Sequence, residues 1–321
     1  MLNQPDVPKE VVQLIEKFEI SKAQISDNAK SLHWEFIEKT LFILPMNDLE
    51  AMRSVLILEA IGAQFVHNSQ QGWGALLEKE DIPIQLLSKV KNIVIFEIPG
   101  VKKEQALIND GYHLLIIDHH HYNHLRLDRS QALSSLEQLC QLIGWQMDEL
   151  DKAIAINDRS YIPGLKAAGI SESLIRDIQI MGYLIQGRSY HKIIKGMQTA
   201  KNTIKSLPQQ NGVYILKNKK ESRLLLLELA IESPNGVVNV IEISKTKIGF
   251  SGSPKVVQAL LKFDFTTMGY QQKTFKQFGG GDVQQSMYFA FIPKTPPSNY
   301  KELIPPQFEE KIVNDIFNCI L

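Results

Sequence analysis

His113-Leu114-Leu115-Ile116-Ile117-Asp118-His119-His120-His121 is an apolar run that stops on an acid followed by three histidines. Four to six apolar residues bounded by polar ones read as a buried strand of a parallel sheet. Such a strand delivers Asp118 and His119 to the carboxyl edge of its sheet, where open α/β folds place their ligand crevices. Oxygen and nitrogen donors side by side suit a divalent cation such as Mn²⁺, Fe²⁺, Co²⁺ or Zn²⁺, with Mg²⁺ preferring carboxylates alone. Histidine runs also occur on solvated loops, but such loops are not usually fed by an aliphatic strand.

Upstream of this stretch the pattern repeats. Leu41-Phe42-Ile43-Leu44 is a short apolar run, and Asn47-Asp48 caps a helical pattern over Leu49 to Ile61 that closes at Gly62. Ala63 to Val66 reads as a second strand, Ile84 to Val90 as a helix, Ile93 to Phe96 as a third strand ending on Glu97, and Lys103 to Asn109 as a helix. Strand and helix alternate with a period of about 25 residues, which predicts crossover units and a mainly parallel sheet with flanking helices. Parallel strands align their carboxyl ends, so Asp48, Glu97 and Asp118 are expected to converge on one edge.

Residues 1–39 read as a helical leader without evident chemistry. Downstream, Ser135, three residues before Gln138, fits a capping box that opens a helix to about Ile143. A further helix, Met147 to Ile156, runs into Asn157-Asp158-Arg159, and residues 171–206 are helical. Leu207 to Gly212 is a polar, turn-rich linker that closes a first domain of 40–206. Beyond it Val213 to Leu216, Leu224 to Ala230, Val237 to Ile243 and Lys247 to Ser251 read as consecutive strands, with Pro234-Asn235-Gly236 as a hairpin turn. A helix from Pro254 to Phe263 and another from about Phe308 to Cys319 complete a smaller α+β domain, 212–321.

The bulk composition narrows the choice of partner. Among 321 residues, Lys and Arg balance Asp and Glu at 35 each, so no general field attracts duplex nucleic acid or an anionic membrane, and an anionic ligand must be met by local charges. Two cysteines, Cys140 and Cys319, cannot make a secreted disulfide framework. The segment from Met1 to Glu10 lacks the basic and apolar regions of a secretory leader, and no run approaches the ~18 apolar residues of a membrane span. A cytoplasmic, soluble protein is expected.

Taken together, Asp48-Leu49-Glu50 with Ser54, Glu97, Asp118-His119-His120 and Asp158 resemble the motifs of the DHH phosphoesterase family. That family holds single-strand exonucleases, small-oligonucleotide and cyclic-dinucleotide phosphodiesterases, exopolyphosphatases and manganese pyrophosphatases. Phe278-Gly279-Gly280-Gly281-Asp282 is similar to the glycine-rich substrate motif of the C-terminal domain that accompanies it. The resemblance implies a metal-dependent phosphoesterase acting on a small nucleotide, a short single-stranded oligonucleotide or a related anion, with no membrane partner and with a homodimer allowed. It implies Mn²⁺ or Mg²⁺, two ions or one, held by Asp48, Glu50, Glu97, Asp118, His119 and Asp158, with Asp118 as the bridge. Asp118, His119 and His120 would be catalytic, and His120, Arg159, Gly279, Gly280, Gly281 and Asp282 would meet substrate, with Lys255 as a further charge. Glu stands where the family has Asp at 50 and 97, and Leu44-Pro45-Met46-Asn47 stands where members often carry a histidine. The alternative is a degenerate phosphate- or nucleotide-binding module of the same fold.

Overall fold

In a computed structural model of the chain, residues 8–71, 74–122, 125–210, 212–217, 222–243, 248–262, 275–282, 286–293 and 314 are described. The chain divides into two compact units. One runs to Asp158 and resumes over Ser173–Tyr190; the other takes Arg159–Glu172 and the chain from His191 onward.

The first unit opens with α1 (Lys9–Phe18), α2 (Lys22–Asn28) and α3 (Trp34–Ile37). Val11, Leu14 and Phe18, spaced at three and four, are the buried stripe of α1. Then come β1 (Thr40–Leu44), α4 (Leu49–Ala60), β2 (Val66–Asn68), α5 (Ile84–Leu87), β3 (Asn92–Phe96), α6 (Val101–Asn109), β4 (His113–Ile117), the short ladder of β5 (His121–Tyr122) with β6 (Leu127–Asp128), α7 (Ser135–Ile143), α8 (Glu149–Ala167), whose residues from Arg159 on belong to the second unit, and α9 (Glu172–Ile185). The helix Met147 to Ile156 of the sequence reading is thus longer, passing through Asp158 and kinking at Tyr161, whose φ is 50°.

Among the described residues the sheet has the order β2-β1-β3-β4, all parallel. After β1 the chain steps to β2 on one side, then returns across β1 to β3 on the other. The carboxyl ends of β1 and β3 therefore flank the point where the winding reverses, the usual place for a ligand in such sheets. β1 is buried along its whole length and β3 along nearly all of it. The opening strand β4 departs from expectation: it is the sheet's edge, and Leu115 is 36% exposed. An unbroken aliphatic run does not require cover on both faces, because an edge strand shields one neighbour only.

The second unit holds α10 (Tyr190–Thr203), β7 (Gln209–Gln210), β8 (Val213–Lys217), α11 (Ser222–Glu232), β9 (Asn239–Ile243), β10 (Ile248–Gly252), α12 (Pro254–Lys262), β11 (Phe275–Asp282) and β12 (Ser286–Pro293). Its sheet runs β11-β12-β10-β9-β8-β7, with β8 and β9 parallel and the other pairs antiparallel. The strand expected at Leu224 to Ala230 is instead part of α11. Seven apolar-rich residues without alternation carry no period, and Leu, Glu and Ala favour a helix over the β-branched composition of a strand. The parallel pairing of β8 and β9 needs such a crossover, which a hairpin cannot supply. Pro234-Asn235-Gly236 accordingly joins a helix to a strand, with Gly236 at φ 75°. The helical stretch 171–206 is two helices that break around Gly187, φ 78°. The helix expected over Phe308 to Cys319 lies outside the described residues but for Asn314.

Candidate metal centre

Asp48, Glu50 and Glu97 are delivered by element ends that local chemistry fixes. Asp48 caps α4, its Oδ1 accepting from the backbone N of Ala51 at 2.8 Å. Glu50, in the first turn of α4, is 2% exposed; its Oε1 accepts from the backbone N of Leu136 at 2.8 Å. The exposed donors at the start of α7 thus meet a carboxylate from another helix, which also suits the positive end of the α7 dipole. Ser54, the serine of the first motif, donates its hydroxyl back to the Glu50 carbonyl at 2.9 Å.

Glu97 follows β3 with φ 53°, a left-handed conformation that a glutamate adopts at a cost. Its backbone N donates to Ile117 O at 2.9 Å, so the strained turn is pinned to the end of β4. That turn aims the Glu97 carboxylate at the histidines: Oε1 lies 3.3 Å from His119 Nε2 and 3.6 Å from His120 Nδ1. Asp158 comes from α8, its Oδ2 2.7 Å from the same His119 Nε2, and Glu50 Oε2 stands 3.8 Å away.

Glu50, Glu97, His119 and Asp158 thereby offer ligand atoms that all lie within 4.8 Å of one another. Glu50 Oε2, Glu97 Oε1, His119 Nε2 and Asp158 Oδ2 are all buried, and among the described residues none has a partner in hydrogen-bond geometry. Buried polar atoms are almost always satisfied, and four such atoms gathered within 4.8 Å of one another carry a large desolvation cost. A divalent cation would satisfy all four at once, and three carboxylates with one imidazole suit Mn²⁺ or a similar ion. The residues fit the group.

The electrostatics point the same way. Burial, with the charges of Glu97 and Asp158, raises Asp48 from its ordinary 3.8 to about 7. Burial, then the charges of Asp158 and Glu97, pushes Glu50 well up. Burial would lower His119, but the close carboxylates of Asp158 and Glu97 outweigh it and raise the imidazole from 6.5 to about 10. Burial likewise opposes the ionised form of Asp158, and His119 outweighs it, holding Asp158 down. The proton on His119 is the positive charge that the acids demand.

Asp118, expected as the bridging ligand, is 2% exposed and stands with a different set of partners. Its Oδ1 accepts from His120 N at 3.0 Å and lies 3.1 Å from His120 Nδ1, and its Oδ2 accepts from Tyr122 at 3.0 Å. Arg129 Nη1 lies 3.6 Å away, while its Nη2 donates to Glu104 at 2.5 Å. Tyr122, Arg129 and Glu104 carried no signal in the sequence, since nothing in their spacing ties them to the acids; the start of α7 was visible in its serines, but the capping box is Ser134 with Glu137, one residue before the expected Ser135 with Gln138.

His121 and His67 have partners of their own, and the expected substrate residues other than His120 belong to the second unit. His121 Nδ1 sits 3.3 Å from Asp128 Oδ1, and His67 Nε2 sits 2.9 Å from Glu80 Oε1, within a network that also includes Ser69 and Gln71. His124 lies outside the described residues. In the second unit, Arg159 is on α8 and Lys255 on α12. Gly279, Gly280, Gly281 and Asp282 form not a loop but the end of β11, paired with Phe289, Tyr288, Met287 and Ser286 of β12. A cavity of about 420 Å³ in this unit, lined among others by Lys205, Tyr214, Glu232 and Asn239, lies at the β7–β9 end of the sheet.

No protein-family model and no curated protein matches the chain. Among solved structures it is similar to RecJ of Thermus thermophilus in complex with Mg²⁺, at 12% identity and a TM-score of 0.37, over 92% of this chain and 52% of that one. The chain thus spans about half the length of RecJ. It is also similar to the DHH domain of a protein described as a member of a family of ribosomal proteins, at 12% identity and a TM-score of 0.40, over 96% of this chain and 92% of that one. What the site can do follows from its own atoms.

Proposed function

We propose that the chain is a metal-dependent phosphoesterase of the DHH family that hydrolyses a phosphodiester or phosphoanhydride in a small nucleotide or short oligonucleotide. The observation that carries the reading is the set of four buried atoms of Glu50, Glu97, His119 and Asp158, all within 4.8 Å of one another and, among the described residues, none with a partner in hydrogen-bond geometry. Those residues would hold Mn²⁺ or Mg²⁺, with Asp48 beside them at the head of α4. When bound, the cation supplies a water of lowered pKa and a positive charge for a phosphoryl oxygen.

The remaining chemistry belongs to the side chains. Burial opposes a charge on His120, but the Asp118 carboxylate and the charge of Glu97 outweigh it and raise its pKa. With Nδ1–H facing Asp118, the half-exposed ring is left with Nε2–H to donate to a phosphate oxygen. Tyr122 and Arg129 hold Asp118 in that orientation, so it tunes His120. Residues 40–206 would carry the cation, and 212–321, with Arg159 and the Gly279–Gly281 backbone, would carry the substrate.

A second reading, a ligand-binding module without turnover, draws on the Asp118 carboxylate being engaged by His120 and Tyr122. Purified protein given Mn²⁺ and a panel of phosphodiesters, beside His119→Ala, separates the two. Turnover that depends on Mn²⁺ and vanishes in the variant is expected; binding without turnover selects the second reading, and equal turnover in the variant removes the first.

A further inference from the structure

Glu50 and Asp158 belong to different helices, α4 and α8, and both must reach His119. Arg53 lies one turn beyond Glu50 on α4, and Asp151 lies two turns before Asp158 on α8, so each stands on the face that carries its ligand. Arg53 is fully buried and its Nε donates to Asp151 Oδ1 at 2.6 Å, with both side chains at 1% exposure or less. Its Nη1 donates to the Phe18 carbonyl at the end of α1, also at 2.6 Å, and its Nη2 is 3.8 Å from Asp148 Oδ2. The other Asp151 oxygen accepts from Trp145 Nε1 at 2.9 Å and from Asp148 N at 3.3 Å, while Asp148 accepts from Asp151 N at 2.7 Å and caps α8.

Stability alone does not explain such a pair. Taking both charges out of water is expensive, and apolar residues of similar volume often hold a core as well or better. A guanidinium fork supplies fixed geometry instead, two or more acceptors held at set distances. Metal ligands need placement within roughly 0.5 Å.

We propose that Arg53 is the positioning residue of the metal centre: it fixes the spacing of α4, α8 and the end of α1, and thereby brings Glu50 and Asp158 together at His119. The N-terminal helices then serve the site by closing the fork through the Phe18 carbonyl. This inference rests on the metal reading above.

The test is Mn²⁺ affinity of the full chain by calorimetry, at a temperature where every variant is folded. Arg53→Met is expected to bind about tenfold or more weakly. Arg53→Lys keeps a charge beside Asp151 but cannot also hold Phe18, and should fall between Arg53→Met and the wild type. Leu41→Ala, a buried position near the amino end of β1, lowers stability but should leave affinity within about twofold of wild type. If Arg53→Met does not fold, Arg53→Lys decides. Wild-type affinity in the Arg53 variants, or an equal loss in Leu41→Ala, overturns the positioning role alone. No Mn²⁺ binding by the wild type overturns the metal reading and this inference with it.

Discussion

His119 Nε2 stands 2.7 Å from Asp158 Oδ2, yet among the described residues neither atom has a partner in hydrogen-bond geometry. Proximity without alignment is what a shared third body would resolve. His119→Ala should therefore lose more than the roughly 10–100-fold in Mn²⁺ affinity that a supporting residue commands, while far-ultraviolet circular dichroism stays that of the wild type. Titration calorimetry measures the loss.

The metal-free site should make stability fall as pH rises. His119 is raised from 6.5 to about 10, so its stabilising contribution is complete below 6.5 and lost as pH climbs through 10. Asp48, raised from 3.8 to about 7, contributes in the same direction, its share vanishing as pH passes 7. Asp158, held low, is already fully ionised across this window and does not oppose the trend. Melting temperature of chelator-treated protein should be lower at pH 9.5 than at pH 5.5. Mn²⁺ should narrow the gap, because the cation replaces the proton on His119.

Glu97 holds φ 53°, where glycine sits freely and glutamate does not. Both Glu97→Gly and Glu97→Ala lose the carboxylate and should abolish Mn²⁺ binding, and the glycine variant should be the more stable of the two by about 1 kcal/mol because only it adopts the turn freely. Chemical denaturation and calorimetry measure both halves, and equal stability of the glycine and alanine variants would show that the turn is not strained.

Gly144 caps α7 at φ 78°, and a Cβ there would run into the Ser31 carbonyl of the leader. Gly144→Ala should lose about 1–2 kcal/mol from the left-handed backbone alone, and more from the clash. Thermal unfolding checks it.

The parallel sheet and its acid-bearing ends were legible because strand, helix and polar stop recur with one period in a region whose core is aliphatic. Asp48, Glu97 and His119 stood out because each opens or closes an element; Glu50, in the first turn of α4, and Asp158, inside α8, were named through the resemblance. The orientation of Asp118 was not legible, because Tyr122 and Arg129 reach it through a two-residue ladder, β5 with β6, that leaves no periodic trace. Nor was α11, whose run of leucines has no phase to distinguish helix from strand. Arg53 looked like an ordinary polar residue of α4; only the packing of α1 and α8 against it makes it a buried fork.

Glu50, Glu97, His119 and Asp158 should together hold a divalent cation. Crystals grown with Mn²⁺ and measured for anomalous scattering test it most directly. A peak is expected within bonding distance of all four side chains, about 2.0–2.3 Å from each donor atom. Anomalous density elsewhere, or none beside His119 at saturating Mn²⁺, would contradict it.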